Sequence, residues 1–311
     1  MEIQDKRAGI LAMAATAFLW SIGGLFIKVI DWNPVAIAGL RSLIASSIIF
    51  AYLKHPKIHF SFPQCAAAIA NAATMLLFVS ANKTTTAANA ILLQYLAPVL
   101  TIFIGAVLLR ERPRWEHLAA LPILAAGMML MFFDKLGGGR PLGDGLAVLS
   151  AITFSFYIVF MRMQKDGSPL ESNLLSHWLT AGICLVLFLF IPAPHATLKS
   201  IAAIAVLGIV QIGLSSILFS VAIKRVSAVQ ANLIAVIEPV FNPVWVFFAI
   251  GEAPGLRTLA GGGFIILAVT MASIISARRK QEIAGSEKLP EEGAPDMVRQ
   301  PEAVTVENSQ A

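Results

Sequence analysis

The chain carries ten long apolar stretches separated by short polar connections. Each stretch has about the 20 residues that a helix needs to cross the hydrocarbon core of a bilayer. The stretches are continuously apolar, whereas the strands of an outer-membrane barrel alternate in polarity over about ten residues. The pattern therefore predicts ten transmembrane helices, at residues 9–30, 34–53, 63–81, 86–109, 115–133, 143–163, 172–191, 201–221, 227–250 and 256–277.

The composition agrees with a polytopic membrane protein. Of 311 residues, 57% are hydrophobic and 13% are charged, whereas soluble domains have about 25% charged residues. The first apolar stretch is longer than the roughly 7–15 residues of a cleavable signal core, so we expect it to be retained. Cys65 and Cys184 lie in or beside apolar stretches, which indicates neither a disulfide framework nor a zinc site. We expect an all-α fold without a cofactor.

Lysine and arginine residues are unevenly distributed between the two sides of the predicted membrane. Sixteen of the 23 lie in segments on the side of the N-terminus, six lie on the opposite side, and Arg41 lies within a span. Because cytoplasmic loops carry an excess of these residues, we predict a protein of the cytoplasmic (inner) membrane with both termini in the cytoplasm. The same bias explains the net charge of +5, so no nucleic-acid partner is expected.

The fourth and ninth stretches are similar in sequence. Each contains a proline within the span and a glutamate just after the end of the span. A weaker match relates the first stretch to the sixth. At an offset of 141 residues, eight of 31 aligned positions are identical, which indicates an internal repeat. The identical pairs are Lys83 and Lys224, Ala87 and Ala228, Ala90 and Ala231, Leu92 and Leu233, Pro98 and Pro239, Val99 and Val240, Glu111 and Glu252, and Pro113 and Pro254.

The repeated unit has five predicted helices, so the second copy must cross the membrane in the opposite direction. Inverted repeats of this kind form many secondary transporters, with the substrate near the midplane between the halves. The acidic, proline-containing C-terminus is too polar to bury a core, so we expect it to be disordered. The predicted organisation is a cytoplasmic N-terminus at 1–8, five-helix repeats at 9–133 and 143–277, a Gly-rich linker at 134–142 and a cytoplasmic tail at 278–311.

The two repeated segments read TTAANAILLQYLAPVLTIFIGAVLLRERP and VSAVQANLIAVIEPVFNPVWVFFAIGEAP. With the layout of ten spans, they resemble the EamA branch of the drug/metabolite transporter superfamily. The resemblance covers nearly all of residues 9–277. It implies a carrier of small metabolites in the cytoplasmic membrane, often an exporter of amino acids or related compounds. The two copies differ before the shared glutamate, where the first has Arg110 and the second has Gly251.

Pro98 and Pro239 are predicted to bend equivalent helices around a central cavity, where protein and water replace the lost backbone hydrogen bonds. A bend that serves packing alone is the alternative. Glu238 is the one acid well inside a span, and it shares a helical face with Asn242 and Trp245. Because a carboxyl group at this depth can bind and release a proton, Glu238 is the candidate for proton coupling. The alternative is a structural hydrogen bond at the Pro239 kink.

Arg41 is the one base well inside a span. It could hold a substrate carboxylate through its planar fork of donors, pair with Glu238, or extend its charge to the membrane interface. The remaining cavity candidates are polar or aromatic positions within spans, although a single Ser or Thr can instead bond its own helix. They are Trp20, Ser21, Asn71, Thr74, Gln94, Tyr95, Tyr157, His177, Gln211 and Ser215.

These features together predict a secondary transporter that exports a small metabolite by alternating access, with protons and membrane lipids as further partners. An intramembrane enzyme is disfavoured, because the sequence has no H-E-x-x-H or G-x-S-x-G motif and no acidic pair within a span. The competing class is a membrane sensor or scaffold that does not transport, although such a protein has no evident need for an inverted repeat.

Overall fold

The computed structural model describes residues 2–85, 87–111, 115–132, 140–250 and 255–286. Within these ranges the protein is built of helices joined by short turns, and no strand occurs. The helices are α1 (Glu2–Trp20), α2 (Gly23–Val29), α3 (Pro34–Leu53), α4 (Phe62–Thr84), α5 (Ala87–Gln94), α6 (Ala97–Leu108), α7 (Trp115–Phe132), α8 (Pro141–Met163), α9 (Pro169–Phe188), α10 (Leu198–Val206), a π-helix (Leu207–Leu214), α11 (Ser215–Ile223), α12 (Ala228–Ala235), α13 (Glu238–Ile250) and α14 (Leu256–Ser286).

Seven helical segments of the described chain are long and apolar enough to cross a membrane. Three shorter apolar helices occupy Trp115–Leu130, Ala228–Phe241 and Leu256–Ala272. Each of these segments overlaps one of the ten predicted spans, and the number that crosses the bilayer stays a prediction. The seven long segments are Gln4–Val29, Pro34–Leu53, Phe62–Thr84, Asn89–Leu108, Pro141–Met163, Pro169–Phe188 and Leu198–Ile223.

Polar and apolar side chains are distributed as expected for a bundle in lipid. Large apolar side chains such as Leu11, Val107 and Leu185 are at least 70% exposed. Polar side chains such as Asn71 and Asn173 are buried between helices. Lipid solvates the apolar exterior, and buried polar groups bond between helices.

Several helices begin at residues that the sequence marks as capping positions. The Asn33 side chain accepts a hydrogen bond from the Val35 amide at 2.9 Å, directly before Pro34 at the start of α3. Ser227 caps α12 by accepting from the Gln230 amide at 3.1 Å. Such caps satisfy amide groups that lack a partner in the first turn of a helix.

The helices depart from the predicted spans at both ends of the chain. The first predicted span is not one continuous helix, because a turn at Ser21 and Ile22 separates α1 from α2. At the other end, α14 continues to Ser286, so the prediction of disorder from Arg278 onward is wrong for its first nine residues. These residues include Ala, Arg, Lys, Gln and Glu, which have high helix propensity. The rest of the predicted tail lies outside the described residues, as does most of the predicted linker.

Arg110 adopts the backbone conformation that the repeat suggests. It follows the C-cap of α6 with a φ of 54°, in the left-handed region that favours glycine. The second copy has glycine at the corresponding position, Gly251, which lies outside the described residues. The first copy therefore ends its helix in a glycine-like conformation with an arginine.

Residues up to Ser273 form one compact unit, and a second unit begins at Ile274. Within the first unit, α4 packs along α8 and α9, α3 packs along α9 and the π-helix, and α1 packs along α11. Two glycines permit these close approaches. A Cβ atom on Gly39 would lie 2.6 Å from Cys184 Cβ, and one on Gly208 would lie 2.5 Å from Ile44 Cβ. The two halves of the sequence therefore interleave rather than stand apart.

Candidate functional site

Two helix interruptions lie next to the prolines that the sequence singles out. Pro98 is the second residue of α6, and Pro239 is the second residue of α13. In both cases two residues separate the helix from the preceding one, α5 or α12. Proline has no N–H group and its ring crowds the carbonyl group four residues earlier. Each interruption therefore has a local cause in the sequence.

Tyr95 connects the two interruptions. Its hydroxyl lies 3.4 Å from the carbonyl oxygen of Ala235, which is the carbonyl group crowded by Pro239. The same hydroxyl lies 3.2 Å from Glu238 Oε2. Tyr95 itself lies between α5 and α6, so one side chain from the first interruption supplies a donor to both acceptors at the second.

A cavity lies beside these interruptions and is lined by residues from both halves of the sequence. Its volume is about 60 Å³, which is room for a few water molecules or one small polar group. The lining residues are Trp20, Arg41, Asn71, Thr74, Met75, Phe78, Gln94, Tyr95, Ala97, Phe154, Tyr157, His177, Gln211, Ile212, Ser216, Asn232, Ala235 and Glu238.

Ten of the fourteen predicted cavity residues line this cavity, and three others lie close to it or support it. Ser215 accepts a hydrogen bond from Trp20 Nε1 at 2.9 Å, and Ser21 accepts one from Trp245 Nε1 at 2.7 Å. These two serines therefore orient tryptophan side chains rather than line the cavity. The side chain of Asn242 lies outside the described part of the structure. The ten lining residues are Trp20, Arg41, Asn71, Thr74, Gln94, Tyr95, Tyr157, His177, Gln211 and Glu238.

The sequence reasoning missed eight residues that line the cavity. Met75 and Phe78 lie one helical turn after Asn71 and Thr74, so helical periodicity could have indicated them. Asn232 is a polar residue within an apolar span, and its Nδ2 donates to Thr101 Oγ1 at 2.6 Å. Nothing in the local sequence indicates the others, which are Ala97, Phe154, Ile212, Ser216 and Ala235.

Arg41 is the largest side chain that is almost completely buried, with 1% of its surface exposed. Its Nη2 donates to Met75 Sδ at 3.2 Å, and its Nε has no hydrogen-bond partner among the described residues. Sulfur is a weak acceptor, and a charge at the centre of a bilayer costs about 2.5–3.5 kcal/mol on insertion scales. The burial rules out extension to the interface, and no contact within the described chain pairs Arg41 with Glu238.

Amide, hydroxyl and imidazole groups surround Arg41 in the cavity wall. Asn71 Nδ2 donates to Ser176 Oγ at 2.8 Å, and His177 Nε2 lies 3.4 Å from Ser216 Oγ. Asn71 Oδ1, His177 Nδ1 and Gln211 Oε1 are buried without a hydrogen-bond partner in the described chain. The π-helix carries Gln211, and a wide helical turn of this kind is frequent at functional sites.

Aromatic side chains form the apolar part of the wall. The ring of Trp20 lies 5.7 Å from that of Phe154, and the rings of Phe154 and Tyr157 are 6.1 Å apart. The Tyr157 hydroxyl donates to the Asn173 side chain, which in turn donates to Ser220 Oγ at 3.2 Å. These contacts hold the aromatic side chains in position behind the cavity.

An ion pair connects several helices at one end of the bundle. Arg162 Nε, at the end of α8, lies 3.2 Å from Glu111 Oε1. Arg162 Nη1 donates to the carbonyl groups of Ile223, the last residue of α11, and Lys224, its C-cap, at 2.8 and 3.0 Å. Glu111 Oε2 accepts from the amide of Ala228 at the start of α12 at 3.3 Å. A cation at a helix C-terminus and an anion at an N-terminus are both favourable.

Lysine side chains make comparable contacts at the opposite end of α8. Lys28 Nζ donates to the carbonyl oxygen of Thr85 at 3.2 Å, and Lys83 Nζ donates to that of Ile30. Thr85 Oγ1 donates to Asp144 Oδ1, near the start of α8, at 2.7 Å. The 23 residues of α8 separate the two ends by about 34 Å at 1.5 Å per residue.

The described residues contain no group of three or more His, Cys, Asp or Glu side chains that could hold a metal ion. A model of the EamA-like transporter family matches the sequence twice, over residues 7–133 and 141–274. The chain belongs to the EamA-like transporter family. It is therefore an integral membrane protein of a transporter family rather than of an enzyme family, and the resemblance inferred from the repeated segments is confirmed.

Two curated relatives in this family are uncharacterized transporters. One, from Archaeoglobus fulgidus, is 26% identical over 269 residues, which cover 86% of this chain and 96% of the relative. Another, from Clostridium kluyveri, is 26% identical over 179 residues, which cover 54% of this chain and 58% of the relative. A crystal structure that is 21% identical covers 88% of this chain and 99% of its own, with a TM-score of 0.76. At this identity the likeness shows the fold alone.

Proposed function

We propose that the protein is a secondary transporter that moves a small metabolite, an amino acid or a related compound, by alternating access. The observation that carries the proposal is a cavity within the apolar bundle whose wall includes several buried polar side chains. Arg41 contributes a basic group and Glu238 an acidic group to its lining, and the two proline-associated interruptions lie beside it. Buried polar groups are costly in a membrane protein, and they mark substrate or ion pathways where they occur.

Two inverted five-helix repeats are the proposed basis of the alternating access. The two separate matches to the family model support a duplicated chain. The interruptions before Pro98 and Pro239 lie at equivalent positions of the two copies. In such a carrier one arrangement of the repeats changes into its mirror image, which exposes the same cavity first to one side and then to the other.

The contacts at the two ends of the bundle are the proposed gates. The weaker match between the first and sixth stretches, at an offset of 134 residues, aligns Lys28 with Arg162. Both side chains donate to backbone carbonyl groups next to the loop that follows the third predicted helix of a repeat. At the Arg162 end of the bundle, Glu111 adds an ion pair with Arg162. Breaking the Arg162–Glu111 pair would free the ends of α8 and α12 to separate and open the cavity on that side.

Glu238 is the proposed proton-coupling group. It lines the cavity, and within the described chain its carboxyl group has one hydrogen-bond donor, the hydroxyl of Tyr95. A carboxyl group that faces the cavity can exchange a proton with whichever side is open. Movement of the metabolite against its gradient would follow from that exchange.

The proposed orientation places both termini in the cytoplasm of a cell whose cytoplasmic (inner) membrane holds the protein. The excess of lysine and arginine in the loops on the side of the N-terminus supports it. Export is the proposed direction, in keeping with the function that the resemblance implies.

Transport by purified protein in proteoliposomes tests this function. A panel of labelled amino acids and related metabolites is offered with and without an imposed pH gradient. We expect one compound to enter or leave faster than in protein-free vesicles, at a rate that follows the gradient. If no compound moves in either direction, the proposal of transport loses its support and a sensor or scaffold becomes the better explanation.

A further inference from the structure

We propose that Arg41 forms a subsite for a carboxylate group of the transported molecule. This inference rests on the proposed transport function and specifies the chemistry of the cavity. It predicts that the protein binds a compact, planar carboxylate at Arg41 and discriminates against a neutral group of the same shape.

The first support is the bonding state of the guanidinium group. Arginine has five N–H donors in a fixed planar fork and no acceptor. In this site the described residues offer it a single weak acceptor, the sulfur of Met75, and no carboxylate lies within 4.0 Å. A fully buried cation whose Nε has no partner is incompletely compensated, and it is directed into a cavity that a ligand could occupy.

The second support is the set of groups around Arg41. Asn71 Oδ1, Gln211 Oε1 and His177 Nδ1 have no hydrogen-bond partner among the residues that the structure describes, and all three side chains line the same cavity. Side-chain amides can present either an acceptor or a donor, so they can bond the oxygen atoms of a carboxylate or a polar hydrogen next to it. Polar groups from α4, α9 and the π-helix thus line the same cavity as the guanidinium of α3.

The number of cationic side chains favours a carboxylate over a phosphate. Among the described lining residues, Arg41 is the one lysine or arginine, while Glu238 adds a carboxyl group to the same cavity. A phosphate group with close to two negative charges would meet one positive charge, whereas a carboxylate matches it. The planar fork of arginine also fits the two oxygens of a carboxylate in a bidentate arrangement.

Formate and formamide provide the test, because both are small enough for a cavity of about 60 Å³ and differ mainly in charge. The full-length protein is purified in detergent, and its melting temperature is measured against increasing sodium formate or formamide at constant ionic strength, with methanesulfonate, which has no carboxylate group, as the balancing anion. We expect formate to raise the melting temperature in a saturable manner, since a ligand that binds the folded state stabilises it. Formamide should have no such effect.

Variants assign the effect to Arg41. Arg41→Gln should weaken formate binding by about ten- to a hundredfold, the range for loss of a charge-assisted hydrogen bond. Arg41→Lys should retain part of the binding, because it keeps the charge and loses the fork. Arg225→Gln is the matched control, since Arg225 pairs with Asp5 at the surface, and it should bind formate like the unaltered protein.

Three results would overturn the proposal. Equal effects of formate and formamide on the unaltered protein would show that binding does not depend on the negative charge of the ligand. This comparison does not require any variant to fold. Chloride that stabilises as well as formate would assign Arg41 a spherical counterion. Formate binding that survives Arg41→Gln would place the anion elsewhere. All three are independent of whether any compound moves in proteoliposomes, so failure of this inference differs from failure of the transport function.

Discussion

The contact between Glu238 and Tyr95 joins the proposed proton-coupling group to the interruption between α12 and α13. The Tyr95 hydroxyl is close to the carbonyl group of Ala235, which Pro239 crowds, and to the Glu238 carboxyl group. Both acceptors compete for a single proton of Tyr95. Any change in the charge of Glu238 would therefore alter the hydrogen bond at the interruption between α12 and α13, which couples protonation to the shape of that segment.

Glu238→Gln tests the proton-coupling role. Glutamine preserves the size of the side chain and an acceptor for Tyr95, but its amide group does not bind or release a proton near neutral pH. We expect substrate exchange to persist while the response of net flux to an imposed pH gradient is lost, as measured in proteoliposomes. Glu171→Gln is the control, since Glu171 accepts a hydrogen bond from the Lys57 amide at 2.7 Å in the first turn of α9, outside the cavity lining, and it should keep the pH response. A gradient response that is unchanged in Glu238→Gln, with normal expression, would exclude the role.

Close helix packing through small residues decides how the elements of this bundle fit together. Gly208 lies in the π-helix, where an added Cβ atom would meet Ile44 Cβ at 2.5 Å and the carbonyl oxygen of Arg41 at 3.2 Å. A Cβ on Gly182, in α9, would meet nothing within 4 Å. Both glycines lie in apolar stretches of the sequence. They differ in whether a neighbouring helix packs against them.

Gly208→Ala should destabilise the protein by about 1–3 kcal/mol, because overpacking forces neighbouring backbones apart. The measurement is the free energy of unfolding in mixed detergent micelles. Gly182→Ala should be neutral or slightly stabilising, since alanine has the higher helix propensity and has free space at this position. Equal effects of the two substitutions would contradict the packing geometry derived for α3 and the π-helix.

The ion pair of Arg162 and Glu111 is an element-scale contact whose loss should change access to the cavity. Arg162→Gln removes the pair and the bonds to two carbonyl groups at the end of α11. We expect a cysteine introduced at Ser216, in the cavity wall, to react faster with a membrane-impermeant maleimide applied from the side of Arg162. The background for this experiment replaces Cys65 and Cys184 with alanine.

Arg225→Gln serves as the control for this gate, because Arg225, in the turn after α11, bonds the carbonyl group of Val221 and pairs with Asp5 at the surface. It should leave the labelling rate of the introduced cysteine unchanged. A gate role for Arg162 would be contradicted by equal labelling rates in Arg162→Gln and Arg225→Gln, provided that both proteins remain monodisperse.

The molecule as a whole is predicted to have two halves of opposite orientation. An inverted repeat requires an odd number of spans in each half, so connections at corresponding positions of the two copies must lie on opposite sides. Fusions of a fluorescent protein and of a periplasmic phosphatase report the side of each connection. We expect fluorescence after residues 57 and 166 and phosphatase activity after residues 138 and 195. Phosphatase activity after residue 166 would require an even number of spans in the first half.

The positions of the helices were largely predictable from the sequence. A bilayer offers no water to an open backbone, so each span must satisfy its own hydrogen bonds and appears as a long apolar stretch. The interruptions before Pro98 and Pro239 are local as well, since proline disrupts the helix at its own position. The interruption after Trp20 and the π-helix around Gln211 carry no comparable local signal, and the sequence reasoning missed them.

The cavity was predictable where its lining consists of polar residues within apolar spans. Arg41, Glu238 and Asn71 stand out because polar groups in apolar spans are costly, and all three line it. Ser216 was missed in favour of Ser215, its neighbour along the chain, because the register of a helix within a wide π-turn is not readable from spacing alone.

By itself, the sequence determined that this protein is a helical membrane protein, it predicted a duplicated design, and it indicated which polar side chains lie within apolar spans. Only the tertiary structure decided what those side chains meet: Arg41 faces Met75 rather than Glu238, while Glu238 faces Tyr95 from the other half of the chain. The physical reason is that transfer into lipid and backbone hydrogen bonding act on each segment separately. Contacts between helices depend on residues far apart in the chain, and close packing at positions such as Gly39 and Gly208 determines which side chains are brought together.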